Sequence, residues 1–128
     1  MFRIVKEMMF EAAHFLPQHE GKCREVHGHH YVLQIGFAGP VDSWNGMVLD
    51  FDVLKRSICK PIEDALDHKL LNKVSWQGFP KDQPTVERMT LWLAQVIDDL
   101  CTSAQLPSVC FIRLYENPTS YAEWERSA

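Results

Sequence analysis

His27-Gly28-His29-His30-Tyr31-Val32-Leu33-Gln34-Ile35-Gly36-Phe37 alternates in character along its length. His27, His29, Tyr31, Leu33, Ile35 and Phe37 share one parity, and His30, Gln34 and Gly36 fall on the other. A period of two belongs to a β-strand with one buried face, so His27 and His29 point toward the face that Tyr31, Leu33 and Ile35 define. Upstream, Phe2, Ile4, Met8 and Phe10 occupy even positions, Lys6 interrupts them, and Ala12 and His14 continue the same parity. This predicts a first strand, and pairing it with the second through the loop from Leu16 to Glu25 would set His14 alongside the other two histidines.

Downstream, Gly39-Pro40 and Asn45-Gly46 supply turn chemistry, and Asp50 or Asp52 can cap a helix whose apolar stripe is Leu54, Ile58, Ile62 and Leu66. Pro61 lies inside that stripe and predicts a kink or a restart, because it lacks a backbone N–H. After a loop around Trp76 to Pro84, Thr85 can cap a second helix with Val86, Met89, Leu93, Val96 or Ile97, and Leu100 on one side. Val109 to Glu116 reads as a strand after Pro107, and Tyr121 to Trp124 as an edge strand behind the Asn117-Pro118 turn. The expected order is ββααββ: an α+β fold with a four-stranded antiparallel sheet and two helices on one face.

At 128 residues the chain predicts a single domain over 1–128, since domains average about 100 to 200 residues. Apolar residues at 46% and charged residues at 23% exclude a disordered chain. Thirteen basic against 17 acidic residues leave a net charge of −4, with no global field to attract nucleic acid or an anionic membrane. No apolar run reaches membrane-spanning length, and Met1-Phe2-Arg3-Ile4-Val5-Lys6-Glu7 lacks the apolar block of a signal peptide, so the expectation is a cytoplasmic protein. Cys23, Cys59, Cys101 and Cys110 form no CxxC pair, which predicts reduced thiols. Cys59, Cys101 and Cys110 sit in apolar patterns and are assigned to the core.

Three neutral imidazoles with no fourth protein ligand suit a catalytic zinc whose open position takes water or substrate. The alternative is a set of hydrogen-bonded histidines at the sheet surface. Cys23 lies between Lys22 and Arg24, which would favour a thiolate able to act as base or nucleophile. Its alternative is an inert, small apolar side chain. In Asp67-His68 a carboxylate can orient an imidazole for proton transfer, or the histidine can simply complement a helix C-terminus. Glu116 continues the parity of Cys110, Ile112 and Leu114, so it is either a carboxylate seeking a pair of donors or a solvated strand end.

Taken together, Phe10-Glu11-Ala12-Ala13-His14, Cys23-Arg24-Glu25-Val26-His27-Gly28-His29, Val48-Leu49-Asp50-Phe51, Leu66-Asp67-His68, Pro84-Thr85-Val86-Glu87 and Tyr115-Glu116 resemble the 6-pyruvoyltetrahydropterin synthase family in order and spacing. Its bacterial branch comprises the 6-carboxytetrahydropterin synthases of queuosine biosynthesis. The resemblance implies the tunnelling fold and a homo-oligomer, usually trimers stacked into hexamers, with active sites between subunits. It implies zinc on His14, His27 and His29, catalysis by Cys23, proton transfer by Asp67 and His68, and a pterin ring anchored by Glu116. Thr85, and more weakly Glu87, match the segment that seats the pterin from a neighbouring subunit. The implied substrate is 7,8-dihydroneopterin triphosphate. The carboxy branch releases acetaldehyde and triphosphate to leave 6-carboxy-5,6,7,8-tetrahydropterin, whereas the pyruvoyl branch only rearranges the side chain. The compact chain favours the carboxy branch. A non-catalytic pterin-binding module is the alternative from another class, and a zinc hydrolase lacks an HExxH helix to supply its base. Val86 departs from the small hydroxyl residue common in bacterial relatives, and the tail from Asn117 to Ala128 lies outside the motifs.

Overall fold

The computed structural model describes residues 2–127; Met1 and Ala128, the ends of the expected domain, lie outside the described residues. Strands β1 (Phe2–His14) and β2 (His27–Gly39) form one long antiparallel pair, in register from Phe2↔Gly39 to His14↔His27. Cross-strand partners such as Met8↔Leu33 and Phe10↔Tyr31 are buried on one face, as the alternation requires. Phe10 and Tyr31 stack with centroids 4.8 Å apart.

A helical body follows in three parts: α1 (Phe51–Leu54), a π turn (Lys55–Cys59) and α2 (Lys60–Leu66). Asp50 is the cap, its side chain accepting the Asp52 N–H at 2.8 Å. The expected interruption at Pro61 takes the form of the π turn, in which Lys60 N–H reaches back five residues to Lys55 O. A proline has no N–H to offer and crowds the carbonyl four residues back, and the wider turn relieves that crowding without ending the helix. Leu54, Ile58, Ile62 and Leu66 stay on one side, all essentially buried, each worth about 2 kcal/mol of apolar burial. The second body, α3 (Val86–Ser103), starts where Thr85 Oγ1 accepts the Arg88 N–H at 3.2 Å and buries Met89, Leu93 and Ile97.

The sheet has five strands, not the four expected, in the order β3-β1-β2-β4-β5, with β4 at Phe111–Asn117 and β5 at Ser120–Glu125. The added strand, β3 (Lys69–Leu70), falls between α2 and α3 and pairs parallel to β1 at Ala12 and Ala13. The ββααββ order is corrected accordingly, and the sheet is mostly rather than wholly antiparallel. Two residues cannot display an alternation, so no pattern announced β3. Because β3 covers so little of β1, Lys6 remains at an uncovered strand edge, in a groove with Lys55, Arg56 and Cys59. That location explains how a lysine interrupts an otherwise apolar parity.

All four cysteines are free; Cys59 and Cys101 are buried as expected, but Cys110 is only half-buried, at the entry to β4. Among the described residues, no helix is long and apolar enough to cross a membrane.

The helices cover one sheet face and leave the other open. On the open face Phe111 lies over Gly36, and the Arg3 guanidinium lies 5.5 Å from the Phe111 ring centroid. A Cβ on Gly36 would come within 2.0 Å of the Phe111 ring, whereas one on Gly39 meets Val48 at an ordinary 3.5 Å. Gly36→Ala is therefore expected to cost about 1 to 3 kcal/mol from overpacking, and Gly39→Ala much less. Equal thermal unfolding midpoints for the two variants would show that the Phe111 ring can move aside freely.

Candidate metal centre

The register that pairs His14 with His27 also pairs Ala12 with His29, so three imidazoles of one parity gather at one end of the β1–β2 pair. Their ring centroids are 4.6, 4.9 and 5.1 Å apart. One potential ligand atom from each lies within 4.8 Å of the others, the one such grouping of three or more histidine, cysteine or acidic side chains among the described residues. His14 is completely buried, while His27 and His29 are partly open.

Backbone carbonyls decide the tautomers. His14 Nδ1 faces Pro84 O at 2.9 Å, and His27 Nδ1 faces Glu25 O at 2.8 Å. A carbonyl can only accept, so each Nδ1 carries the proton and each Nε2 presents a lone pair. Those two Nε2 atoms are 3.0 Å apart. Two lone pairs cannot hydrogen-bond to each other, and an imidazolium is disfavoured here: burial pulls His14 down to about 4 from the usual 6.5. His29 is also lowered by burial, against the opposing pull of Glu116. The donor set thus fits a metal cation, which satisfies converging neutral nitrogens without adding a buried proton.

Glu116 approaches this centre from β4. Its Oε1 lies 3.5 Å from His29 Nε2 and 3.7 Å from His14 Nε2. Glu116 follows directly on Tyr115, which pairs with Val32 at the end of the β2–β4 register. Cys23 sits half-buried in a short 3-10 turn, Lys22–Arg24, and its carbonyl accepts the Leu16 N–H at 2.7 Å. That turn leads directly into the Glu25 carbonyl that holds His27, so one piece of chain places both Cys23 and a ring of the cluster. Thr85, the α3 cap, follows Pro84, the residue holding His14, while Glu87 is exposed in the first turn of α3.

Asp67 and His68 pair as the sequence suggests, at the edge of the sheet. His68 Nδ1 donates to Asp67 Oδ2 at 2.9 Å, and Asp67 Oδ1 accepts the Glu11 N–H at 2.9 Å. The Glu11 N–H first, then the His68 ring, hold the Asp67 carboxyl below the usual carboxylate range. His68 takes a left-handed backbone conformation (φ 59°), stabilised by its N–H donating to Glu11 O at 2.6 Å. Its ring is exposed and lines a groove with Glu11, Gly28, His29 and His30 at the edge of the sheet. Among the described residues, the hydrogen-bonding partners of this pair are each other and Glu11, not Cys23.

Several participants carry no sequence signal. The Pro84 and Glu25 carbonyls belong to the backbone, which the identity of a side chain does not reveal. His30 pairs with Glu11 across β1 and β2 on the open face. Tyr31, read above as one more apolar strand residue, reaches His14 Nδ1 with its hydroxyl at 3.4 Å. Burial and the Glu116 charge push its phenol well above the usual range, which keeps it an O–H group.

The sequence matches the 6-pyruvoyl tetrahydropterin synthase family over residues 3–127. It is 35% identical to the 6-carboxy-5,6,7,8-tetrahydropterin synthase of Synechocystis, an alignment covering 97% of this chain and 93% of that one. It is 34% identical to the enzyme of the same name from Haemophilus influenzae, covering 98% and 99%. The fold superposes on the 6-pyruvoyl tetrahydropterin synthase of Caenorhabditis elegans with a TM-score of 0.85 at 24% identity, over 98% of this chain and 96% of the other. A match of nearly full length, on a fold that gathers the expected three histidines, establishes that the chain belongs to the 6-pyruvoyl tetrahydropterin synthase family.

Proposed function

We propose that this chain is a zinc-dependent 6-carboxy-5,6,7,8-tetrahydropterin synthase of queuosine biosynthesis. It would convert 7,8-dihydroneopterin triphosphate to the carboxy product, releasing acetaldehyde and triphosphate. We read residues 1–128 as one domain, working in the cytoplasm as a homo-oligomer, a trimer or a hexamer, with neither nucleic acid nor membrane as partner. The observation that carries the reading is the convergence of the His14 and His27 lone pairs beside His29. The choice of product follows the names of the relatives.

His14, His27 and His29 would hold the zinc through ring nitrogens. Bound there, zinc would act as a Lewis acid on a side-chain hydroxyl of the substrate and make the adjacent C–H bond easier to deprotonate. Cys23 takes that proton on Sγ, and Lys22 and Arg24 flank it in the turn, available to the triphosphate. His68 donates its Nδ1–H to Asp67, which leaves Nε2 free to give or take a proton. His68 lines a groove together with His29, one of the three rings that would hold the zinc. Glu116, partly open beside the cluster, can accept two parallel hydrogen bonds from the pterin amino group and the neighbouring N–H. Thr85 keeps its own hydroxyl proton to donate while capping α3, and seats the pterin of a neighbouring subunit with Glu87.

Incubation with 7,8-dihydroneopterin triphosphate and mass spectrometry should show the carboxy product and acetaldehyde. A pyruvoyl product would overturn the product assignment, and retention of triphosphate would make the chain a binding module. Metal analysis should find one zinc per chain, lost in His14→Ala, His27→Ala and His29→Ala and kept in His30→Ala. Zinc lost from His30→Ala but kept by His29→Ala would reverse the strand parity. Cys23→Ala should retain zinc and pterin while turnover disappears; a near wild-type rate would remove Cys23 from catalysis, and loss of zinc would make it a ligand. Glu116→Gln turns one acceptor into a donor, so pterin affinity should fall tenfold to a hundredfold, roughly 1.5 to 3 kcal/mol, with zinc content unchanged. Glu125→Gln, on β5, serves as the reference, and equal binding by both variants would mean Glu116 is a solvated strand end.

A further inference from the structure

Tyr31 follows His29 by two residues on the same face of β2 and is wholly buried. A phenylalanine would fill the same space without taking a hydroxyl out of water, and burying a hydroxyl that lacks a good partner costs about 1 to 3 kcal/mol. The neighbour that Tyr31 Oη reaches is His14 Nδ1, at 3.4 Å. That nitrogen already directs its proton to Pro84 O at 2.9 Å. Tyr31 Oη is therefore placed to accept the longer arm of a three-centre hydrogen bond from the same N–H.

The tyrosine ring also makes contact with the cluster. Its plane is nearly perpendicular to His14 (87°, centroids 6.3 Å apart) and steeply inclined to His29 (70°, 5.5 Å). Its other side stacks on Phe10 at 4.8 Å and 12°, so the ring is clamped between the cluster and the sheet core. Pro84 belongs to the loop before α3, whereas Tyr31 belongs to the β1–β2 pair that carries all three histidines. A tautomer held only by a loop carbonyl would follow every movement of that loop.

We propose that Tyr31 is a positioning residue of the metal centre: its hydroxyl oxygen shares the His14 Nδ1–H with the Pro84 carbonyl, and its ring braces His14 and His29. The role ties the Nδ1–H tautomer of His14 to the rigid sheet and keeps Nε2 aimed at the metal. It rests on the metal reading given above, and it adds a side chain that touches two ligands without being one.

The test is Tyr31→Phe beside the wild type and His14→Ala, using zinc affinity by chelator competition, the visible absorption of the cobalt(II)-loaded protein, and thermal unfolding of the metal-stripped protein. Losing a partner that orients a ligand costs about tenfold to a hundredfold in metal affinity. With the Pro84 carbonyl still in place, Tyr31→Phe should fall at the lower end, near tenfold, with a shifted cobalt band. The stripped protein should unfold at the wild-type temperature or above it. Wild-type affinity and an unchanged cobalt spectrum in Tyr31→Phe would overturn the proposal. So would a loss of affinity accompanied by a lower unfolding temperature of the stripped protein, which marks a packing role. Failure of the metal reading looks different: the wild type itself would bind no more zinc than His14→Ala.

Discussion

Two imidazole nitrogens held 3.0 Å apart, each ring committed through its other nitrogen to a backbone carbonyl, form a contact that is repulsive unless something positive joins it. Burial of His14 closes the easy escape at that ring, because protonating it would place a charge in an apolar setting. The arrangement persists because thirteen residues of β1 and thirteen of β2 lie in continuous register, stapled by buried pairs such as Phe10↔Tyr31 and Met8↔Leu33. The core energy of the strands thus holds in place a cluster that is unfavourable by itself, the relation expected between a binding site and the scaffold that supports it.

Three pieces of the chain aim the rings. The sheet supplies the spacing of His14, His27 and His29. The 3-10 turn before β2 carries Cys23 and presents the Glu25 carbonyl to His27. The loop before α3 presents the Pro84 carbonyl to His14, and the Thr85 cap fixes where that loop ends. The chemistry therefore sits at one end of the sheet, where loops meet, while the apolar stripes of the helices bury against the middle of it.

The remaining ionisable groups divide between the two faces. Glu116 shares the helix-covered face with the histidines because its β4 parity is that of Leu114 and Ile112. Asp67 and His68 emerge from the end of α2 at the outer edge of the sheet, where the Glu11 backbone grips both of them.

Much of this was legible in the sequence because strand periodicity is a local property: a period of two assigns each side chain to a face, and three histidines of one parity must share it. Capping by Asp50 and Thr85, the interruption at Pro61 and the parity of Glu116 are local in the same way. The fifth strand was not legible, since two residues have no period, and its parallel partner is more than fifty residues away in sequence. Nor was the half-burial of Cys110, which depends on what covers the start of β4. The carbonyls of Pro84 and Glu25 and the buried hydroxyl of Tyr31 became partners of the cluster only through the tertiary arrangement. Periodicity along the chain assigns side chains to a common face, whereas the atoms they meet are set by the tertiary arrangement, because hydrogen-bond partners come from segments whose separation along the chain carries no periodic signal.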